Sequence, residues 1–236
     1  PRISNYNTFS WGECDEIFRS LITENVAFYS AEHTIKKWKE LEKEPELPSF
    51  FSYEEFMGPL FYQSSPNLDT KVQRIKALGI KKVILTLRNQ LSMIDSIYRQ
   101  YIQKGGVVRS SDFLDSNLRI FNRDYCNYGP IVQYLVREFG KENVLVLLHE
   151  ELKENEQAFM AKIEAFGGIV LKESKDEIKT SGRGVNRSIS NLSVGFLRQF
   201  NHISYNHFKP SSLISKKLKS RRMRNLLQNH NINISK

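Results

Sequence analysis

Two short apolar segments rich in β-branched residues stand out in the hydrophobic pattern of the chain. Residues 82–87 (KVILTL) and 143–148 (NVLVLL) lack the alternation of polar and apolar positions, which is typical of strands covered on both faces. Each segment leads into a stretch whose apolar residues recur at helical spacing. The pattern therefore predicts βα units and a mostly parallel sheet with flanking helices.

Apolar side chains three and four positions apart predict the helices of the chain. The predicted spans are residues 13–22, 34–41, 68–78, a helix opening at residues 88–90 and ending at Gly105-Gly106, residues 130–139, and a helix carrying Phe159, Ile163 and Phe166. The helix after residue 88 has a predicted apolar stripe of Leu91, Ile94, Tyr98 and Tyr101. Residues 49–53 (SFFSY) predict a short strand, and the chain is predicted to be helical with basic loops from residue 186 onward.

Composition narrows the class of protein without naming a function. The chain has 236 residues, of which 40% are hydrophobic and 11% aromatic, enough for one domain with a sizeable core. No stretch approaches the about 20 apolar residues of a membrane span, and no secretory signal is recognisable. Two cysteines, Cys14 and Cys126, are too few for a disulfide framework. We therefore expect a cytoplasmic protein.

The charge is concentrated at one end of the chain. Residues 178–236 contain twelve lysines and arginines and no acidic residue, although the whole chain has a net charge of +9. Such a one-sided segment favours an anionic partner, such as nucleic acid, phosphate, sulfate or a membrane surface. A solvated basic tail without a partner is the alternative.

The familiar catalytic signatures are missing from the sequence. There is no GxxxxGK[ST] phosphate loop, no GxSxG nucleophile motif and no HExxH or CxxC metal motif. The five histidines form no recognisable cluster in the sequence. These absences argue against the corresponding hydrolases and kinases, and they predict that the protein uses no metal.

Arg88 follows the first predicted strand directly and stands just before a predicted helix. Ligands of open α/β sheets bind beyond the carboxyl ends of the strands, where helix N-termini favour anions. Ser96 lies eight residues further along, about two helical turns. An arginine fork and a serine hydroxyl in this arrangement predict a phosphate site, with an ordinary surface arginine and serine as the alternative.

Several segments resemble sulfotransferases. Residues 81–106 (KKVILTLRNQLSMIDSIYRQYIQKGG) resemble the strand and helix with which that family binds the 3′-phosphate of its donor, including the serine eight residues after the arginine. Residues 139–152 (FGKENVLVLLHEEL), followed by Phe166-Gly167, resemble a later strand and helix of the bacterial carbohydrate-type members. Asn186-Arg187-Ser188 resembles an Asn-Arg-Ser stretch late in those chains, and Ser52-Tyr53-Glu54 resembles their Ser-x-Glu strand end.

The resemblance implies a P-loop-NTPase-like three-layer α/β fold, with a central mostly parallel sheet and flanking helices. It implies one sulfotransferase-like domain over residues 1–205 and a basic, partly helical extension over residues 206–236. The family places a 5′-phosphosulfate-binding loop after its first strand, and the opening residues PRISNYNT lack its glycine. We therefore expect the first strand and that loop to lie upstream of Pro1.

The resemblance also implies a reaction and a set of residues. The reaction is transfer of a sulfuryl group from 3′-phosphoadenosine-5′-phosphosulfate (PAPS) to a hydroxyl of a carbohydrate or similar acceptor, without a metal. The implied donor-binding residues are Arg88, Ser96, Asn186, Arg187 and Ser188. Arg88 and Ser96 would hold the 3′-phosphate, and the other three would close over the nucleotide. Glu54 is the implied general base, with a structural ion pair or cap as its alternative and His33 as a weaker candidate.

Two other functions remain open at this point. One is a sulfotransferase-like protein that binds the nucleotide without catalysis, and the other is a nucleic-acid-binding protein that uses the basic C-terminal tail. Residues 209–236 contain no Phe, Trp or Tyr on which bases could stack, so we expect no specific nucleic-acid partner. An anionic polysaccharide or a glycolipid surface would suit the tail better.

Overall fold

The computed structural model describes residues 11–42, 46–50, 52, 54–57, 68–118, 120–121, 123–170 and 190–203. The helices and strands of the described residues, in chain order, are α1 (Trp11–Ile22), α2 (Ala31–Leu41), α3 (Leu68–Ala77), β1 (Val83–Leu87), α4 (Gln90–Gln103), α5 (Tyr128–Phe139), β2 (Val144–Leu148), α6 (His149–Glu154), α7 (Glu156–Gly167) and α8 (Asn191–Asn201). The same residues also contain four short 3-10 helices, at Glu54–Met57, Ser116–Leu118, Arg123–Cys126 and Lys141–Asn143. The chain divides into a first unit, residues 1–89 with 122–173, and a second unit, residues 90–121 with 174–236.

The two strands form a parallel pair, as the sequence predicts. Val83 lies opposite Val144, and the register runs without a break to Leu87 opposite Leu148. Both strands therefore end at the same edge of the sheet. Helix α5 packs against both strands and covers one face of the pair. The structure thus confirms a mixed helix and strand protein with a small parallel sheet.

Two apolar clusters of described residues lie in the first unit. One joins α1 and α2 through the side chains of Cys14, Ile17, Phe18, Leu21, Ile22 and Trp38. The other lies under the sheet, where Val72 of α3, Leu85 of β1 and Leu135 of α5 are all buried. Burying each such side chain contributes about 1.5–3 kcal/mol to the stability of the unit.

The structure corrects two predictions about strands. Val146 and Leu148 of β2 are exposed, so the prediction that both strands are covered on both faces is wrong there. The sheet of the described residues has two strands, and Val146 and Leu148, two positions apart, point to the same face of it. That face is therefore incompletely covered at β2. The predicted strand over residues 49–53 is also wrong at its described positions, where Ser49 forms only an isolated bridge. A 3-10 helix begins at Glu54 instead, and it brings the Phe56 ring against Phe18, with 5.7 Å between the ring centroids.

Two helical predictions also differ from the structure in detail. The single helix predicted after β2 is two helices, because the Asn155 side chain accepts the Ala158 N–H and caps the start of α7. Helix α2 begins at Ala31, three residues earlier than predicted, since Ser30 caps it by accepting the N–H of His33. The other predicted helices with described residues agree with the structure to within about two residues, the usual uncertainty of a helix end.

The second unit is built around the pairing of α4 with α8. Ile97, Tyr101 and Ile102 form the buried side of α4, whereas Leu91 is 78% exposed. The predicted stripe is therefore wrong at Leu91 and confirmed at Tyr101. Gly105, with a φ of 113°, ends the helix as predicted, since this backbone conformation strongly favours glycine.

One hydrogen bond in the first unit makes the folding stability of the protein depend on pH in the alkaline range. The Tyr134 hydroxyl of α5 donates to Asp69 Oδ1 of α3 at 2.6 Å. Burial, followed by the hydrogen bond and charge of Asp69, raises the pKa of Tyr134 to about 12. A tyrosine in the unfolded chain ionises near about pH 10, so folding is penalised as the pH rises from there towards the folded pKa.

We expect the stability difference between wild type and Tyr134→Phe to change with pH. Wild type should be the more stable below about pH 10, and its advantage should shrink above that pH. Thermal unfolding of both proteins at a series of pH values measures the difference. Asp69→Asn should weaken the effect, and a difference that stays constant to pH 11 would contradict it.

Candidate active site

Arg88 and His149 follow the carboxyl ends of β1 and β2, where Leu87 and Leu148 lie opposite each other. In parallel sheets this edge is where ligands bind. The geometry therefore confirms the position that the sequence predicts for Arg88, directly after the strand and directly before α4.

The peptide group between Arg88 and Asn89 is held at both ends. Its carbonyl accepts a hydrogen bond of 2.7 Å from the Tyr128 hydroxyl, at the start of α5. Its N–H donates to Glu150 Oε1 in α6 at 2.9 Å. We call this arrangement of Tyr128, Glu150 and the Arg88–Asn89 peptide the peptide clamp.

The pKa shifts of Glu150 and Tyr128 are consistent with the hydrogen bonds of the peptide clamp. The Asn89 N–H, donating to the carboxylate, holds the pKa of Glu150 below its usual value. Burial raises the pKa of Tyr128, so its phenol keeps the proton that it donates. Glu151, one residue further, points to a different partner and pairs with Lys162 of α7 at 3.0 Å.

The Arg88 side chain has no acidic partner within the described part of the chain. It is half-buried, and its Nε is enclosed without a hydrogen-bond partner. Among the ion pairs of the described residues none includes Arg88. A guanidinium in this state presents donors suited to a phosphate or sulfate oxygen.

The family model of the sulfotransferase domain matches residues 73–228 of the chain. The chain belongs to the sulfotransferase family. No curated protein and no solved structure matches it. The matched region contains Arg88 and Ser96 as well as the Asn186-Arg187-Ser188 stretch, whereas Glu54 lies before it.

The other predicted residues of this sulfotransferase lie in different parts of the chain. Ser96 is exposed on α4 and belongs to the second unit, whereas Arg88 belongs to the first. Asn186, Arg187 and Ser188 lie outside the described residues, as does the basic segment 206–236. Glu54 begins a 3-10 helix rather than ending a strand, and its side chain lies outside the described part.

His33, the weaker candidate base, is exposed and its Nε2 lies 3.6 Å from the carboxylate of Glu16. This surface pair gives the histidine a structural partner.

Among the described residues, every helix is too short or too polar to cross a membrane. Within the same residues, no three His, Cys, Asp or Glu side chains converge as ligands of a metal ion would.

Sequence reasoning missed the two partners of the Arg88–Asn89 peptide. Tyr128 is 40 residues from Arg88, and Glu150 is 61 residues from Asn89. The sequence predicts a structural role for Glu150 as an acidic residue in the first turn of a helix. No spacing rule connects it with a strand end so far away, because only the parallel pairing of β1 with β2 brings the two together.

Proposed function

We propose that this sulfotransferase transfers a sulfuryl group from PAPS to a hydroxyl of a carbohydrate or similar acceptor, as the bacterial carbohydrate-type members do. The observation that carries the proposal is the enclosed Nε of Arg88 at the end of β1, inside the matched region, which has no hydrogen-bond acceptor among the described residues. A buried N–H without an acceptor is costly, so this arginine fits an anionic ligand better than a purely structural role.

The proposal assigns a task to each predicted residue. Arg88 and Ser96 bind the 3′-phosphate of the donor through the guanidinium fork and the hydroxyl. Asn186, Arg187 and Ser188 contact the nucleotide. The spacing of Arg88 and Ser96 supports the first assignment, and the position of the Asn-Arg-Ser stretch within the family match supports the second.

The proposed reaction transfers one sulfuryl group to the acceptor and removes one proton from it. When bound, the donor supplies a sulfuryl group on a phosphosulfate anhydride, and 3′-phosphoadenosine-5′-phosphate leaves as the sulfur–oxygen bond to the acceptor forms. Glu54 accepts the proton of the attacking hydroxyl in this proposal. The cationic side chains of the protein stabilise the negative charge on the transferring oxygens, as argued for phosphoryl transfer, so no metal is required.

The proposal extends to architecture and partners. The parallel β1–β2 pair with α5 on one face supports a P-loop-like three-layer domain over residues 1–205. The basic extension, residues 206–236, would face an anionic polysaccharide or a glycolipid surface, because the last 59 residues carry no acidic side chain.

Thermal unfolding with and without 3′-phosphoadenosine-5′-phosphate tests the donor site. At about 100 times its dissociation constant, a ligand of the folded state adds about 2.7 kcal/mol to the free energy of unfolding, which raises the midpoint measurably. We expect this rise in wild type and its loss in Arg88→Ala, since that variant lacks the guanidinium that binds the 3′-phosphate.

Arg19→Ala is the matched control for charge. Arg19 is 75% exposed and pairs with Asp15 within α1, so its loss removes the same charge without touching the site. The control should keep the full ligand-dependent rise. An unchanged midpoint in wild type, or an equal rise in Arg88→Ala, would sink the proposed donor site. A protein that binds the nucleotide and sulfates no hydroxylated acceptor would be a binding protein without catalysis.

A further inference from the structure

We propose that Tyr128 and Glu150 are positioning residues that orient Arg88 for the 3′-phosphate, an inference that rests on the proposed function. Neither residue contacts the ligand in this proposal. Both act through the Arg88–Asn89 peptide, which they hold from opposite ends.

Tyr128 and Glu150 act on a single peptide group. The Arg88 carbonyl and the Asn89 N–H belong to one rigid plane. Tyr128 donates to the oxygen at 2.7 Å, and Glu150 accepts from the nitrogen at 2.9 Å. Holding both ends fixes the rotation of this plane, and therefore ψ of Arg88 and φ of Asn89. The clamp thus sets the backbone direction at the point where the chain leaves β1.

The Arg88 side chain itself has few contacts that could orient it. Arg88 has no ion-pair partner in the described part of the chain, and its Nε has no acceptor. Its side chain is half-buried, so packing and the backbone torsions set its direction. A side chain that must meet a phosphate in one geometry, without a carboxylate to orient it, depends on a fixed backbone.

The hydrogen bond and the charge of Glu150 have opposite expected effects on anion binding. Glu150 carries a negative charge at the edge of the sheet where an anion is expected to bind, and by charge alone it would repel that anion. Its contribution is the acceptor oxygen for Asn89. A glutamine at this position keeps an acceptor oxygen and removes the charge, whereas an alanine removes both. The two variants therefore predict opposite effects on binding.

The experiment measures the dissociation constant of 3′-phosphoadenosine-5′-phosphate by calorimetry on the full 236-residue chain. The variants are Glu150→Ala, Glu150→Gln and Tyr128→Phe. Glu151→Ala is the matched control for the first, because its carboxylate pairs with Lys162 instead. Tyr134→Phe is the control for the third, because it removes the hydroxyl that donates to Asp69 from the same helix.

We expect Glu150→Ala and Tyr128→Phe to bind about tenfold more weakly, the effect of losing one hydrogen bond that holds a binding group. Glu150→Gln should bind at least as tightly as wild type, and both controls should bind like wild type. Amide hydrogen exchange of Asn89 should be faster in Glu150→Ala than in Glu151→Ala, because only the former frees its N–H. A variant that had only lost structure in general would not produce this order of binding affinities and exchange rates.

The outcomes distinguish the clamp from the proposed function. If wild type binds the nucleotide and all five variants bind equally well, the positioning role is wrong and the donor site stands. If Glu150→Ala and Glu150→Gln both bind more tightly, Glu150 acts through its charge and the positioning role is again wrong. If wild type does not bind the nucleotide, the proposed function fails and the positioning role fails with it.

Discussion

Asn201→Asp should lower the free energy of unfolding of the second unit by about 3 kcal/mol at neutral pH, the cost of placing a buried charge against two carbonyl oxygens. Asn201 is completely buried, and its Nδ2 donates to the carbonyls of Ile102 and Gly106 at 2.8 Å each. In the variant, a carboxylate oxygen takes the place of the Nδ2 donor and faces these two carbonyl oxygens. Thermal unfolding followed by far-ultraviolet circular dichroism measures the loss.

The pH dependence of that variant provides a second check. Burial raises the pKa of the new carboxyl above the about 3.9 of an unfolded aspartate. Its neutral form is tolerated at low pH, so the deficit against wild type should be smallest near pH 4 and grow as the pH rises. Gln199→Glu makes the same amide-to-carboxylate change at an exposed site of α8 and should have little effect. Equal destabilisation by both variants would refute the role of Asn201.

Arg74→Ala should cost the first unit about 3 kcal/mol, since each charge-assisted hydrogen bond contributes about 1.5 kcal/mol or more. The guanidinium of this buried residue donates to the carbonyls of Ser20 at 2.9 Å and Glu24 at 2.8 Å, at the end of α1. It also stacks on Tyr29, 4.2 Å from the ring centroid. Its removal leaves those carbonyls without their donor. Unfolding in urea, followed by tryptophan fluorescence, measures the loss.

Lys76→Ala is the control for Arg74, on the same helix and with the same change of charge. Lys76 is exposed and pairs with Glu138 at 3.0 Å, a surface ion pair worth at most about 1 kcal/mol. We expect Lys76→Ala to shift the urea midpoint only slightly. If it shifted the midpoint as far as Arg74→Ala does, the contacts of Arg74 with α1 would contribute nothing beyond charge.

Both predictions concern helix ends closed by side chains from distant parts of the chain. Arg74 reaches the end of α1 across 54 residues, and Asn201 reaches Ile102 near the end of α4 across 99. Local capping residues have a signature in sequence, as Ser30 and Asn155 do for α2 and α7. A cap supplied from another element has none, because its position depends on how the elements pack.

The two strands were predictable because burial imposes a local pattern. Residues 82–87 and 143–148 contain no charged side chain after their first residues, and β-branched apolar runs of this length are typical of parallel strands. The exposure of Leu91 and Leu148 was not predictable in the same way. Helical and strand periods identify the positions able to face a core, whereas the neighbouring element decides which of them are covered.

The sequence by itself determined most of the helices, the two parallel strands and the place of Arg88 at the end of β1, since hydrophobic period and chain order are local properties. Its motifs also indicated the sulfotransferase family, which the domain match confirms. Only the tertiary structure decided that Tyr128 and Glu150 hold the peptide after Arg88, and that the Arg88 Nε is enclosed without an acceptor from the described part of the chain. Hydrogen bonds between distant residues depend on the packing of whole elements, and no spacing along the chain encodes them.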